Sequence, residues 1–154
     1  MAKANSPFSV KEAEDSSGFL LWQVTTLWQR GIKKALDTIE ITHPQFVLLA
    51  SLLWLSGQQQ RVTQIDLSQH SQIDPMTTST VIRTLQKKGF VERREHETDT
   101  RAKMVLLTAS GLKVTRKAVK IIENFDADFF RSLGDKAEAF NVGLRLLLGP
   151  GAAY

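Results

Sequence analysis

Four consecutive hydroxyl residues, Thr77-Thr78-Ser79-Thr80, open the stretch "DPMTTSTVIRTLQKKGF" (residues 74–90), with cations following at Arg83, Lys87 and Lys88. Ser and Thr are mediocre helix formers, because hydroxyls compete for backbone partners and Thr is stiff at χ1. The same groups are short donors and acceptors that tolerate close approach to base edges and phosphates. Asp74 before Pro75 supplies a helix start, and Lys87, Lys88 and Gly89 supply favourable chemistry at its end. Ile82 and Leu85 are expected to face inward, flanked by Met76 and Val81, with the hydroxyls on the remaining faces. Such a face suits contact with a polyanion rather than catalysis.

Other reactive types are sparse. Asp66 and His70 share the i,i+4 spacing of a base and its orienting carboxylate, but no Ser or Cys motif accompanies them, so they read as a helix-surface pair. His43, His70 and His96 fall on a helix start, a helix end and a hairpin tip, which is no metal-ligand pattern. Cysteine is absent, excluding disulfides, thiol redox sensing and thiolate metal sites. Gly149-Pro150-Gly151 has no strand before it and no helix after it, unlike a phosphate loop. No enzyme chemistry, metal or cofactor is expected.

The elements that must position these residues follow from periodicity. The chain has 154 residues, 42% hydrophobic, with Lys+Arg 20 against Asp+Glu 16, a net charge of +4 and a pI near 9.5. That allows one domain with a core and a mild preference for anionic partners. Neither a membrane-length apolar run nor a signal-peptide core is present, giving a cytoplasmic, nucleoid-associated expectation. Residues 1–16 read as a loose arm. "GFLLWQVTTLWQRGIKKALDTI" carries Leu20, Val24 and Leu27 beside Leu21, Trp28 and Ile32, an arc wide enough for burial on two sides. Thr42 with Gln45 and Thr63 with Asp66 are capping boxes opening two further helices, the first with Pro44 in its opening turn and Gly57 as its stop. "FVERR" and "KMVLLT" are β-prone runs around the polar tip "EHETDTRA". Two helices follow, the first basic along Lys113, Arg116, Lys117 and Lys120. The fold class is mainly α with a small β-hairpin wing.

Two short helices joined by a tight turn and followed by a hairpin form a winged helix-turn-helix, whose second helix lies in the DNA major groove. Between Arg83 and Lys103 lie seven basic residues and four acids, with no acid between Pro75 and Gly89. The rival reading, a winged-helix adaptor for protein contacts without operator binding, would be favoured by acids on that helix. From about Gly18 to about Leu148 the chain resembles the MarR-type transcriptional regulators. The likeness is carried by "ITHPQFVLLASL", by "TSTVIRTLQKKGFVERREHETDTRAKMVLLTASG" and by Asp99-x-Arg101.

The resemblance implies a homodimer built from the first and last two helices, a pseudo-palindromic double-stranded DNA operator, and release by a small molecule, with repression as the outcome. The corresponding organisation is a dimerisation helix at 17–40, a winged region at 42–107, dimerisation helices at 108–149 and a tail at 150–154. On the DNA side, Thr77, Thr78, Ser79, Thr80 and Arg83 are expected in the major groove, and Thr63 and Gln64 on phosphate. Lys87, Arg94 and Lys103 are expected to complete the DNA-binding set, the last two on the backbone. Arg101 is expected at the minor groove, oriented by Asp99. An organic, aromatic or anionic effector is expected against Phe19, Trp22, Trp28, Phe46 and Leu49, with Arg30, Lys33 and Lys34 as a positive rim.

Overall fold

A computed structural model describes residues 6–95, 98 and 102–150. Six α-helices and one hairpin follow in the expected order. They are α1 (Ser17–Asp37), α2 (His43–Ser56), α3 (Gln64–Ser71), α4 (Pro75–Lys87), β1 (Val91–Glu95), β2 (Lys103–Leu107), α5 (Ala109–Phe129) and α6 (Ala137–Leu148). A 3-10 turn at Ala13–Asp15 precedes α1, and a 3-10 segment, Phe130–Lys136, bends the chain between α5 and α6 around Gly134 at φ 53°. No helix among the described residues is long and apolar enough to cross a membrane.

Local chemistry explains the helix starts. In α2 the Thr42 hydroxyl accepts from the Gln45 N–H while the Gln45 side chain accepts from the Thr42 N–H. Thr63 and Asp66 repeat this reciprocal pair at α3, and Asp74 Oδ1 accepts from the Thr77 N–H at 2.9 Å to open α4. Each capping side chain satisfies a donor that the helix itself leaves unpaired. Gly89 at φ 77° then turns the chain from α4 into β1, a left-handed conformation that glycine adopts without strain.

The hairpin is antiparallel, with Val91 opposite Leu107 and Glu95 opposite Lys103. The Val105 N–H also donates to the Val62 carbonyl at 2.9 Å, so the wing is stitched to the chain entering α3. One core gathers Leu48, Leu49, Leu52, Leu67, Ile82, Leu85, Val91 and Val105 beneath α2, α3, α4 and the wing. A smaller one, Ile32, Leu36, Ala118 and Ile122, joins α1 to α5. Two glycines set the crossings: a Cβ on Gly31 would lie 2.3 Å from the Phe125 ring, and one on Gly111 only 1.8 Å from the Phe90 carbonyl oxygen.

The wide apolar arc of α1 is half satisfied. Its C-terminal half is enclosed, whereas Phe19, Leu20, Leu21, Trp22, Val24 and Leu27 are exposed, and α6 has no buried residue at all. Two expectations about α4 need correction. Thr78 is fully buried and donates its hydroxyl to the Ile73 carbonyl, so it faces the α3–α4 turn rather than outward. Met76, expected to flank the inner face, is 81% exposed.

Candidate nucleic-acid interface

The outward strip of α4 is set by the residues that must point the other way. Thr78, Ile82 and Leu85 are buried and Val81 is partly so, which fixes the rotation of the helix. At about 100° per residue, Met76, Thr80, Arg83 and Lys87 then fall within roughly 60° of one another on the opposite side. Thr77 and Thr84 are exposed on one flank, and Ser79 is partly exposed on the other.

Several of these groups are held in place. Thr80 Oγ1 donates to the Met76 carbonyl at 3.1 Å, and Thr84 Oγ1 donates to the Thr80 carbonyl at 3.2 Å. Their hydroxyl protons are thus used inside the helix, leaving oxygen lone pairs outward as acceptors. Arg83 Nη2 donates to Ser79 Oγ at 3.0 Å, which steadies a long cation over its own helix. Hydrogen bonds from Thr77, side chain first and backbone next, hold the exposed Asp74 carboxyl below the usual carboxylate range. An ionised cap here adds its charge to the favourable end of the helix dipole.

Beside α4, the remaining DNA-directed residues are differently placed. Thr63 is committed to its cap: its hydroxyl accepts from the Asp66 N–H at 3.1 Å, and its own N–H donates to Asp66 Oδ2 at 2.8 Å. Gln64 is partly buried, and its Oε1 is enclosed with no partner among the described residues. On the wing, Arg94 is paired with Glu92 at 2.7 Å and Lys103 with Glu95 at 3.9 Å, both at the surface. Arg93 Nε donates to Gln86 Oε1 at 3.0 Å, bracing the wing against α4. Asp99, Arg101 and His96 lie outside the described residues. Lys88 Nζ reaches the Glu40 carbonyl at 2.6 Å, tying the end of α4 to the α1–α2 turn.

The residues expected to share one effector pocket are not brought together. Leu49 is fully buried in the main core, a correction that follows from its position on the inner side of α2. Phe19 and Trp22 border a shallow depression on the exposed half of α1 that Phe46 does not line. Phe46 instead lines an open groove of about 720 Å³ between α2 and α5, with Ala50, Leu53, Trp54, Ile122 and Asp126. Sequence reasoning missed Trp54, whose signal was its place two turns beyond Phe46 on the same helix. Trp28 is joined to that region through α5: its indole N–H donates to Asp126 Oδ1 at 2.9 Å, and its ring meets His43 edge-on at 5.1 Å. Burial pushes the His43 imidazole below its ordinary range, against the opposing pull of Asp126. Among the described residues, no cluster of three or more His, Cys, Asp or Glu could hold a metal ion.

Comparison with known proteins adds an independent line. The MarR family model matches residues 41–103. The HTH-type transcriptional regulator YdcH of Bacillus subtilis is 44% identical over 133 residues, covering 86% of this chain and 90% of that protein. Among solved structures, a Staphylococcus aureus MepR–DNA complex superposes with a TM-score of 0.78 at 25% identity, covering 86% of this chain and 96% of that one. CouR from Rhodococcus jostii RHA1, bound to p-coumaroyl-CoA, superposes at 0.79 with 20% identity over 92% of this chain and 97% of that one, a likeness of fold.

Proposed function

The chain belongs to the MarR family of transcriptional regulators, and we propose that it acts as a homodimeric repressor which reads a pseudo-palindromic operator through α4. The observation that carries this is the acid-free outward strip Thr80, Arg83 and Lys87, backed by a fully enclosed core that leaves α4 no other face to present. In this reading Arg83 contacts a base edge, with Thr77, Ser79, Thr80 and Thr84 as short polar contacts beside it. Thr63 approaches phosphate through its hydroxyl proton, since in the cap that oxygen only accepts while the Thr63 N–H is held by Asp66, and Gln64 approaches through its backbone or amide N–H groups. Lys87, Arg94 and Lys103 neutralise phosphates, the last two by exchanging their wing carboxylates for DNA. Arg101 enters the adjacent minor groove with Asp99 orienting it, a role that rests on sequence alone. Occupation of the operator excludes the transcription machinery.

Dimerisation is supported by the exposed apolar residues of α1 and α6. An obligate homodimer buries upward of roughly 2,000 Å², and chain-terminal helices can supply that area. An effector is proposed in the α2–α5 groove, an apolar cleft with Asp126 and the Trp28 indole behind it. Binding there would separate helices that set the distance between the two copies of α4. Shifting an operator from almost fully bound to almost fully free takes about 5.5 kcal/mol of differential affinity.

The test is binding-site selection with purified protein and a randomised duplex pool. The expected product is a palindrome with half-site centres about 10 to 11 base pairs apart. Absence of any enriched sequence overturns the reading. Phenolic and aromatic carboxylate ligands are then titrated, following tryptophan fluorescence and operator release together. Quenching without release marks a site that does not regulate.

A further inference from the structure

Apart from Phe8 in the arm, the large apolar side chains exposed among the described residues lie on α1 and α6, with three exceptions: Trp54, Ile65 and Met76. Trp54 borders the α2–α5 groove, and Ile65 sits on the first turn of α3. Met76, at 81%, is the most exposed of the whole set. It occupies the second position of α4, directly after Pro75, on the strip it shares with Thr80, Arg83 and Lys87. The dimer-forming faces of α1 and α6 offer no account of it, because it stands on a different element.

Its surroundings hold the backbone still and leave the side chain unencumbered. The Asp74 cap and Pro75 define the first turn, and Thr80 donates to the Met76 carbonyl at 3.1 Å. The N-terminal residues of a recognition helix are those that meet base edges. A thioether chain gains nothing from phosphate and little from polar base edges. In the major groove the one apolar group on offer is the C5-methyl of thymine. Methionine is unbranched and adapts to such a contact without demanding one fixed approach.

We propose that Met76 is a specificity-determining residue that packs against a thymine methyl group in each operator half-site. This rests on the operator reading above and adds the base it selects. Arg83 and the hydroxyls can be satisfied by several bases or by phosphate, whereas an apolar contact distinguishes thymine from every base that lacks the methyl.

The experiment takes the duplex enriched by the wild-type protein and replaces each thymine singly by uracil, which removes the methyl and nothing else. Equilibrium affinities are measured at one fixed salt concentration for wild type, Met76→Ala and Met76→Leu. One thymine per half-site is expected at which uracil weakens wild-type binding about fourfold, and about fifteenfold when both half-sites are changed. Met76→Ala should bind thymine and uracil duplexes equally at that position, and Met76→Leu should retain most of the discrimination. A flat uracil scan in wild type overturns the proposal, as does a uracil penalty that persists unchanged in Met76→Ala. Failure of the wild type to enrich any duplex would instead remove the operator reading, and this proposal with it.

Discussion

The winged unit and the terminal helices treat their apolar residues in opposite ways. In the winged unit Leu48, Leu49, Leu52, Leu67, Ile82 and Leu85 are completely enclosed beneath α2, α3, α4 and the hairpin. In α6, Leu146, Leu147 and Leu148 are all exposed, as are Leu21, Trp22 and Leu27 on α1. Apolar surface left in water forgoes roughly 25 cal/mol per Å², and contiguous exposed patches mark interaction sites. One region is therefore complete within a single chain. The other is left open by a single chain, and in the proposed dimer a second copy closes it, which makes the spacing of the two α4 helices a property of that dimer.

The strongest way to break this contrast is to charge the unsatisfied face. Leu146→Glu with Leu147→Glu should cost about 3–6 kcal/mol of lost burial per protomer. The dimer dissociation constant should then rise by at least about a hundredfold, with the helical circular dichroism of the winged unit retained. Sedimentation velocity reads this directly, and an unchanged dimer would show that α6 serves another surface. Truncating the satisfied region should behave differently. Leu85→Ala should lower the unfolding free energy by about 2–5 kcal/mol, by the same amount at low and high protein concentration in urea titrations. A concentration-dependent loss would place Leu85 in the association rather than in the fold.

Smaller effects separate the two sides of α4. Arg83→Ala should cost about 1–3 kcal/mol of operator affinity and relax preference at one base pair, with Tm unchanged. A uniform loss across sequences would make Arg83 a phosphate contact. Thr78→Val should leave operator affinity as it is and cost about 1 kcal/mol or less of stability. The Ile73 carbonyl it abandons still accepts from Ser68 Oγ at 2.7 Å. Altered DNA binding in Thr78→Val would mean that α4 rotates on the operator.

The smallest effect concerns pH. Burial lowers the folded-state pKa of His43, so the unfolded chain binds the proton more readily. Stability contributed by the neutral ring is then present above the ordinary histidine range and is lost as pH falls through it. Urea midpoints at about pH 7.5 and about pH 5.5 bracket the ordinary histidine pKa. They should differ in the wild type, and the difference should shrink in His43→Gln. Equal slopes in both proteins would assign the pH response elsewhere.

What the amino-acid sequence determined by itself is the order of the helices and strands and where α2, α3 and α4 begin. Thr42 with Gln45, Thr63 with Asp66, and Asp74 before Pro75 open helices through hydrogen bonds that span only three residues, so each signal sits wholly within a local window. The hairpin and the basic, acid-free α4 were legible for the same reason. Tertiary structure decided which of four adjacent hydroxyls is hidden. Thr78 and Thr80 are chemically identical, and only the packing of Ile82 and Leu85 under α2 and α3 turns one inward and the other outward. It also decided that Leu49 belongs to the core, that Phe19 and Trp22 border a depression Phe46 does not line, and that Met76 points to solvent. Those outcomes depend on how distant segments pack, α4 against α2 and α3, and α1 against α5 where Gly31 meets Phe125. Periodicity within one helix carries the width of its apolar face, but the rotation of that face is set by its neighbours.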